Sequence, residues 1–288
     1  MSAYLAAVLT QVGIYALMTT ALNLQYGFTG LINFGLVAFY CIGAYAVAIL
    51  GTLGYGPLFA VSVALLVAAA AAWPLGLLTL RLRGDFLAIV TLGLSEVIRL
   101  VAINERSLTK GAGGIAGIPQ PLAAWSPWGL LATLLFANVV AVLIFRRLVR
   151  SPFGRVIRAI RDDEDALRTL GKSPLGFRTR ILVIGCMLMS LAGAFQASNI
   201  GFVSPDQFSP EVTFLVWIAL ILGGSGSLWG ALVGALALFG FLEGSRYIRD
   251  LIPGIAESDL ASLRLAAVGL GFIVLTLFRP QGIVGLKN

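Results

Sequence analysis

The residues in this sequence with the most chemistry to offer stand in apolar surroundings. Asn23, Gln25, Thr29 and Asn33 lie among glycines in NLQYGFTGLINFG, and Ser95, Glu96 and Arg99 interrupt TLGLSEVIRL. Amides and hydroxyls of this kind can hold a small polar or zwitterionic solute by hydrogen bonds, but they supply no nucleophile beside a base. The chain has no His, and Cys41 and Cys186 sit far apart inside apolar runs, so neither a metal-ligand spacing nor a catalytic pair can be assembled. GAGGIA at 111–116 has the letters of a dinucleotide fingerprint, yet it follows a polar loop and runs into GIPQP, where the fingerprint needs a strand before it and a helix after it. GGSGS at 223–227 lacks the Lys-Ser/Thr ending of a phosphate loop and reads as a tight turn. The sequence points away from catalysis, and away from nucleotide or metal binding by this chain.

The elements that must position these groups are membrane helices. Hydrophobic residues make up 59% of the chain and the mean hydropathy is +0.96, against an apolar share of about 45–50% in soluble domains. Continuous runs of about 20 apolar residues recur, each able to cross a hydrocarbon core of roughly 30 Å as a helix. The runs do not alternate, which excludes a β-barrel. The expected segments are 4–24, 34–54, 57–80, 85–103, 128–149, 180–199, 211–223, 228–249 and 262–279. The fold class is an all-α polytopic membrane protein with about eight or nine transmembrane helices; either 211–223 or the Gly27–Gly35 region could be re-entrant. The first run has no basic stretch before it and reads as a retained helix. Glu96 and Arg99, three apart on one helix face, are expected to pair. Gly226, Gly230 and Gly234, four apart, are expected to line one face of a closely packed helix.

Charge gives the sidedness. The formal net charge is +7, and ten of the twenty basic residues fall between Arg146 and Arg180. Basic excess marks cytoplasmic loops, so 146–180 is placed inside and the loop from Asn104 to Pro127 outside. Arg81, Arg83, Arg279 and Lys287 then also fall inside, and the N-terminus lies outside if all nine segments cross. Within the basic region, GRVIRAIRDDEDALRTLGKSP carries nine charges in twenty-one positions. Val156, Ile160, Leu167 and Leu170 fall on one helical face, interrupted by Asp163. Gly154 is expected to precede this helix, Gly171 to cap it and Pro174 to end it. Four consecutive acids would be repelled by anionic lipid, so the apolar stripe is expected to fit a groove on a cytoplasmic protein partner.

GRVIRAIRDDEDALRTLG resembles the coupling-helix motif of permeases in ATP-binding-cassette importers, specifically the LivM-type branched-chain amino acid permease family. The resemblance extends to LNLQYGFTGLINFGLVAFYCIGAY, RLRGDFLAIVTLGLSEVIRL with GIAGIP after it, GFVSPDQFSPEVTFLVWIALILGGSGSLWGALVGA and the closing LFRPQGIVG, in the family's order. It implies one permease domain over 1–288 with a cytoplasmic coupling segment at 150–179, in a bacterial inner membrane. It also implies that ATP is bound by two ATPase subunits rather than by this chain. A second related permease would complete the pore and a periplasmic binding protein would deliver substrate, with no role for nucleic acid. Carried over by position, Gly154, Arg155, Ala159, Ile160, Arg161, Glu164, Ala166 and Gly171 would contact the ATPase. Asn23, Gln25, Asn33, Gln196 and Asn199 are the candidates to line a path for the zwitterionic end of a branched-chain or other hydrophobic amino acid. A urea or short-amide importer fits the same motifs. An ion-coupled secondary transporter would call for buried acidic or His relays and inverted repeats, and neither is evident.

Overall fold

The computed structural model describes residues 2–79, 84–120, 127–169, 171–245, 257–279 and 281–284. In chain order the helices are α1 (Ser2–Leu22), α2 (Leu36–Thr52), α3 (Pro57–Leu78), α4 (Asp85–Asn104), α5 (Pro127–Arg150), α6 (Pro152–Asp162), α7 (Glu164–Thr169), α8 (Pro174–Ile200), α9 (Pro210–Gly223), α10 (Leu228–Gly244) and α11 (Glu257–Phe278). Each of the nine expected apolar segments contains a helix among the described residues. Five, beginning at Tyr4, Pro57, Asp85, Trp128 and Pro174, are long and apolar enough to cross a membrane; four more are apolar but shorter. The protein is an all-α polytopic membrane protein. With 14 residues, α9 extends about 21 Å, short of a hydrocarbon core of roughly 30 Å. The basic residues Arg81, Arg83 and Lys287 lie outside the described residues.

The centre of the bundle is α8, which packs on α2, α3 and α1. Small residues make this possible. A Cβ on Gly43 would overlap the Ser190 backbone, and one on Gly193 would overlap the Tyr40 carbonyl. On α3, Ala60, Ala64, Ala68 and Ala72 form a fully buried stripe at four-residue spacing, and Ser190 Oγ donates to Ala64 O across it at 3.1 Å. Helices in lipid associate by such close backbone approach, because apolar side chains alone gain little there over lipid tails. Elsewhere α1 joins α10, where the Tyr15 and Phe239 rings stack at 3.8 Å.

The glycine stripe expected at 226, 230 and 234 is corrected in part. Gly226 precedes α10 in a turn at φ +83°, and Ser227 caps the helix by accepting from Gly230 N at 3.2 Å. Gly230 and Gly234 do face the end of α9, where added Cβ atoms would lie 2.9 Å from Gly223 O and 2.7 Å from Gly223 N.

On the side away from α6, Ile115–Ala116 (β1) pairs antiparallel with Phe202–Val203 (β2), joining the loop after α4 to the end of α8. GAGGIA therefore runs into a two-residue ribbon and not into a helix. Glu96 and Arg99 pair as expected, with Arg99 Nη2 2.6 Å from Glu96 Oε1.

Candidate coupling site and helix break

The charged stretch folds as two helices, and its limits differ from the expected ones. Ser151 caps α6 by accepting from Gly154 N at 3.3 Å, which puts Gly154 inside the first turn instead of before it. A Cβ there would overlap Val149 O. Asp163 adopts an extended conformation (φ −155°, ψ 104°) and its Oδ1 accepts from Asp165 N at 3.0 Å, separating α6 from α7. Local side-chain to backbone bonding of this kind competes with helix continuation. Gly171 holds φ +73°, the left-handed position expected of it. Pro174 is the first residue of α8.

The apolar stripe is buried against this chain itself, which corrects its reading as a surface for a partner's groove. Val156, Ile160 and Leu167 pack together with Phe177, and Ile157 enters a cluster with Leu24, Phe28, Leu31, Leu87, Phe145 and Ile181. Gly154 and Ile160, expected to touch the ATPase, are buried, Gly154 against the backbone of Leu148 and Val149 and Ile160 beside Phe177. The outward face is charged: Arg155, Arg158, Asp162, Asp165 and Arg168 are exposed, and Ala159 is half-buried. Arg158 also donates to Val149 O at 3.2 Å, satisfying a terminal carbonyl of α5. Glu164 is drawn inward, with its oxygens 2.7 Å from both Arg168 Nη2 and Arg178 Nη2. The ion pair with Arg178 fastens α7 to the start of α8. The side chain of Ala166 and all of Leu170 lie outside the described residues.

After Leu22 the first helix widens into a π-helical turn over Asn23–Gly27, and α2 starts only at Leu36. Such turns are rare and recur at functional sites. Here three buried amides hold the break open. Asn23 Oδ1 accepts from Gly226 N at 2.9 Å, and its Nδ2 donates to Ser227 O at 2.8 Å. Gln25 Nε2 donates to Leu182 O at 3.1 Å, and Gln25 Oε1 accepts from Asn33 Nδ2 at 2.8 Å. Asn33 Oδ1 accepts from Gly35 N at 2.7 Å, while its carbonyl accepts from Trp217 Nε1 at 3.1 Å. All six amide polar atoms are bonded within the chain. Asn23, Gln25 and Asn33, expected to line the path, spend these polar atoms on building the break. A buried polar network this fully satisfied specifies one arrangement of backbone.

Gln196 and Asn199 lie farther along α8, Gln196 being ten residues, or roughly 15 Å, past Cys186, whose sulfur faces Gln25. Gln196 is buried with Oε1 unbonded, and the Asn199 carbonyl accepts from Gln120 Nε2 at 3.1 Å. Of the five amides, Asn23, Gln25 and Asn33 thus gather at the break, and Gln196 and Asn199 stand apart from them.

Two further links converge on the break. Arg161 of α6 donates from Nη1 to Gly27 O, and Gly226 lies close by, since a Cβ added there would stand 3.2 Å from that nitrogen. The chain's closing segment docks on the same turn, with Ile283 N donating to Leu222 O at 2.9 Å and Val284 N to Gly223 O at 3.0 Å. These bonds satisfy terminal carbonyls of α9 that its own helix leaves free. Beside them, a cavity of about 220 Å³ opens between Gly30, Leu87, Glu164 and Arg178. Four stretches distant in sequence, NLQYGFTG, GRVIRAIR, GGSGS and QGIVG, therefore meet in one place.

Comparisons with known proteins show the family. Residues 4–275 match the family described as the branched-chain amino acid transport system permease component. The chain belongs to this family. Among curated proteins, it is 32% identical to the high-affinity branched-chain amino acid transport system permease protein LivM of Escherichia coli K12, an alignment covering 96% of this chain and 68% of that protein. It is 24% identical to a probable branched-chain amino acid transport permease protein LivM of Methanocaldococcus jannaschii, over 81% of this chain and 78% of that one. Identity to the permease protein BraD of Pseudomonas aeruginosa is 27%, covering 94% and 91%. No solved structure matches. This permease component is a transport subunit and not an enzyme. Sequence reasoning missed the links from Arg161 to Gly27 and from Arg178 to Glu164; only the Ser151-Pro152 start of α6 left a readable signal, a cap residue followed by a proline suited to the first helical position.

Proposed function

We propose that this permease is the transmembrane subunit of an ATP-binding-cassette importer in a bacterial inner membrane, carrying branched-chain or other hydrophobic amino acids. ATP is hydrolysed on two related cytoplasmic ATPase subunits, a periplasmic binding protein delivers the substrate, and a second related permease completes the pore. Residues 1–288 form a single domain, with 150–179 as its coupling segment. The relatives named above, all described as branched-chain amino acid permeases, support the substrate class.

The observation that carries the mechanism is the seating of α6 on the break. Ile157 packs on Leu24, Phe28 and Leu31, and Arg161 holds Gly27 O. A partner that pushes on the charged outer face, through Arg155, Ala159, Asp162 or Asp165, moves the break with it, because packed interiors transmit displacement as rigid bodies. Satisfied amides at the break let it shift as a unit without exposing unpaired polar groups. The amide cluster then serves the path as its hinge. The test is leucine uptake by the reconstituted complex with its ATPases and binding protein, compared with urea uptake. ATP-dependent accumulation of leucine supports the reading; accumulation of urea alone, or uptake driven only by an ion gradient, rejects it.

A further inference from the structure

An apolar groove lies apart from the coupling site. It runs between α1, α5 and α10, has a volume of about 550 Å³, and is walled by Leu9, Leu135, Val139 and Leu236. Asn138 fixes its floor by donating from Nδ2 to Gly13 O at 3.1 Å, tying α5 to α1. At one end the walls turn basic with Arg146 and Arg150. A shallow depression on the neighbouring flank of α5 brings Arg147 to the same end.

These three arginines are exposed and, among the described residues, none is in an ion pair. Among the described residues that wall the groove there is no acid. Charged residues are absent from α1, and the only one on α10 is Glu243, at the far end of that helix. Depth places the cluster at a membrane surface. From Trp128 to Arg150 the helix rises about 33 Å, close to the thickness of a hydrocarbon core. Trp229, exposed beside the arginines, is a residue type that favours the headgroup level.

We propose that this groove binds an anionic phospholipid of the cytoplasmic leaflet, with the phosphate between Arg146 and Arg150 and one acyl chain along Leu135 and Val139 toward Leu9. Lengths agree: Asn138 to Arg150 spans about 18 Å of helix, and one leaflet's hydrocarbon is about 15 Å deep. Charge selects the occupant. Basic pockets between helices at the cytoplasmic surface suit anionic headgroups, whereas a transmembrane helix of another subunit would have to bring acids of its own to avoid covering three unpaired cations.

The test is native mass spectrometry of the purified full chain, titrated with phosphatidylglycerol and with phosphatidylcholine of identical acyl chains. Wild type should favour phosphatidylglycerol by roughly 10- to 30-fold, the weight of two surface cations. The Arg146→Gln/Arg150→Gln variant should abolish the preference while still taking up either lipid, and Arg106→Gln, altering a cation elsewhere, should preserve it. Val139→Trp, at an exposed position of the groove wall, should weaken both lipids. Equal affinity for the two lipids in wild type, or an undiminished preference in the double variant, overturns the proposal. So does efficient cross-linking of a cysteine placed at Val139 to another subunit of the assembled transporter, because a protein helix would then occupy the groove.

Discussion

The guanidinium of Arg161 donates to the carbonyl of Gly27, joining a helix outside the membrane bundle to the break in the first membrane helix across 134 residues of sequence. Gly27 belongs to a π-helical turn whose carbonyls are not all consumed by regular helix bonding, so the arginine satisfies an acceptor the break leaves free. Arg161→Ala should therefore leave insertion and expression intact, because the side chain is largely exposed, and should loosen the grip of α6 on the break. The expected outcome in proteoliposomes is ATP hydrolysis within about twofold of wild type with amino acid uptake reduced roughly tenfold, equivalent to about 1.4 kcal/mol of lost coupling. Equal loss of hydrolysis and uptake would place Arg161 in the ATPase contact instead.

Gly27 itself has no room for a side chain. A Cβ would overlap Asn23 Oδ1 and stand 2.5 Å from Gly226 N, the two ends of the bond that closes the break on the α9–α10 turn. Gly27→Ala should break this bond and cost about 2–3 kcal/mol. A lowered midpoint in a thermal unfolding assay in detergent checks this; an unchanged midpoint would mean that the turn relaxes freely.

Glu164 and Arg178 provide a test by charge exchange. Their side chains are 17% and 16% exposed and lie 2.7 Å apart. Glu164→Lys sets a cation against both Arg178 and Arg168 and should detach α7 from α8, lowering transport severalfold. Adding Arg178→Glu should restore a substantial part of it, with a pair coupling of about 1 kcal/mol. No rescue in the double variant would assign Glu164 to the partner's surface, as the sequence resemblance implies.

The elements were more legible in the sequence than the contacts among them. Nine apolar runs became nine helices because length and continuous hydrophobicity dictate helical backbone in lipid, whatever the neighbours. The α6–α7 stripe was legible as a stripe, but periodicity says only that a face is buried and not in what; Ile160 and Leu167 are covered by Phe177 of the same chain. Polar residues misled for a related reason. Asn23, Gln25 and Asn33 are as suited to a solute as to a backbone, and only the structure shows that backbone groups of Leu182, Gly226, Ser227 and Gly35 take four of their amide atoms while Gln25 and Asn33 bond each other through the other two. A partner 134 or 203 residues away leaves no local pattern to read.

Two glycines on α10 separate packing from mere composition. Gly230 faces the end of α9, where a Cβ would stand 2.9 Å from Gly223 O, and backbone atoms cannot step aside as a flexible side chain can. Gly240, on the same helix, has nothing within 4 Å of the corresponding position. Gly230→Leu must push α10 away from α9, carrying with it the turn that Asn23 and the closing segment both hold, at a cost of about 4 kcal/mol or more. Gly240→Leu only adds apolar surface in open space and replaces a poor helix former with a good one, a change worth under about 1 kcal/mol in favour of the helix. Size-exclusion profiles of the two variants after membrane extraction should show loss of the folded species for Gly230→Leu and a wild-type profile for Gly240→Leu. Equal behaviour of the two would mean that α9 and α10 pack through their larger side chains, and that the close backbone contact at Gly230 contributes nothing to assembly.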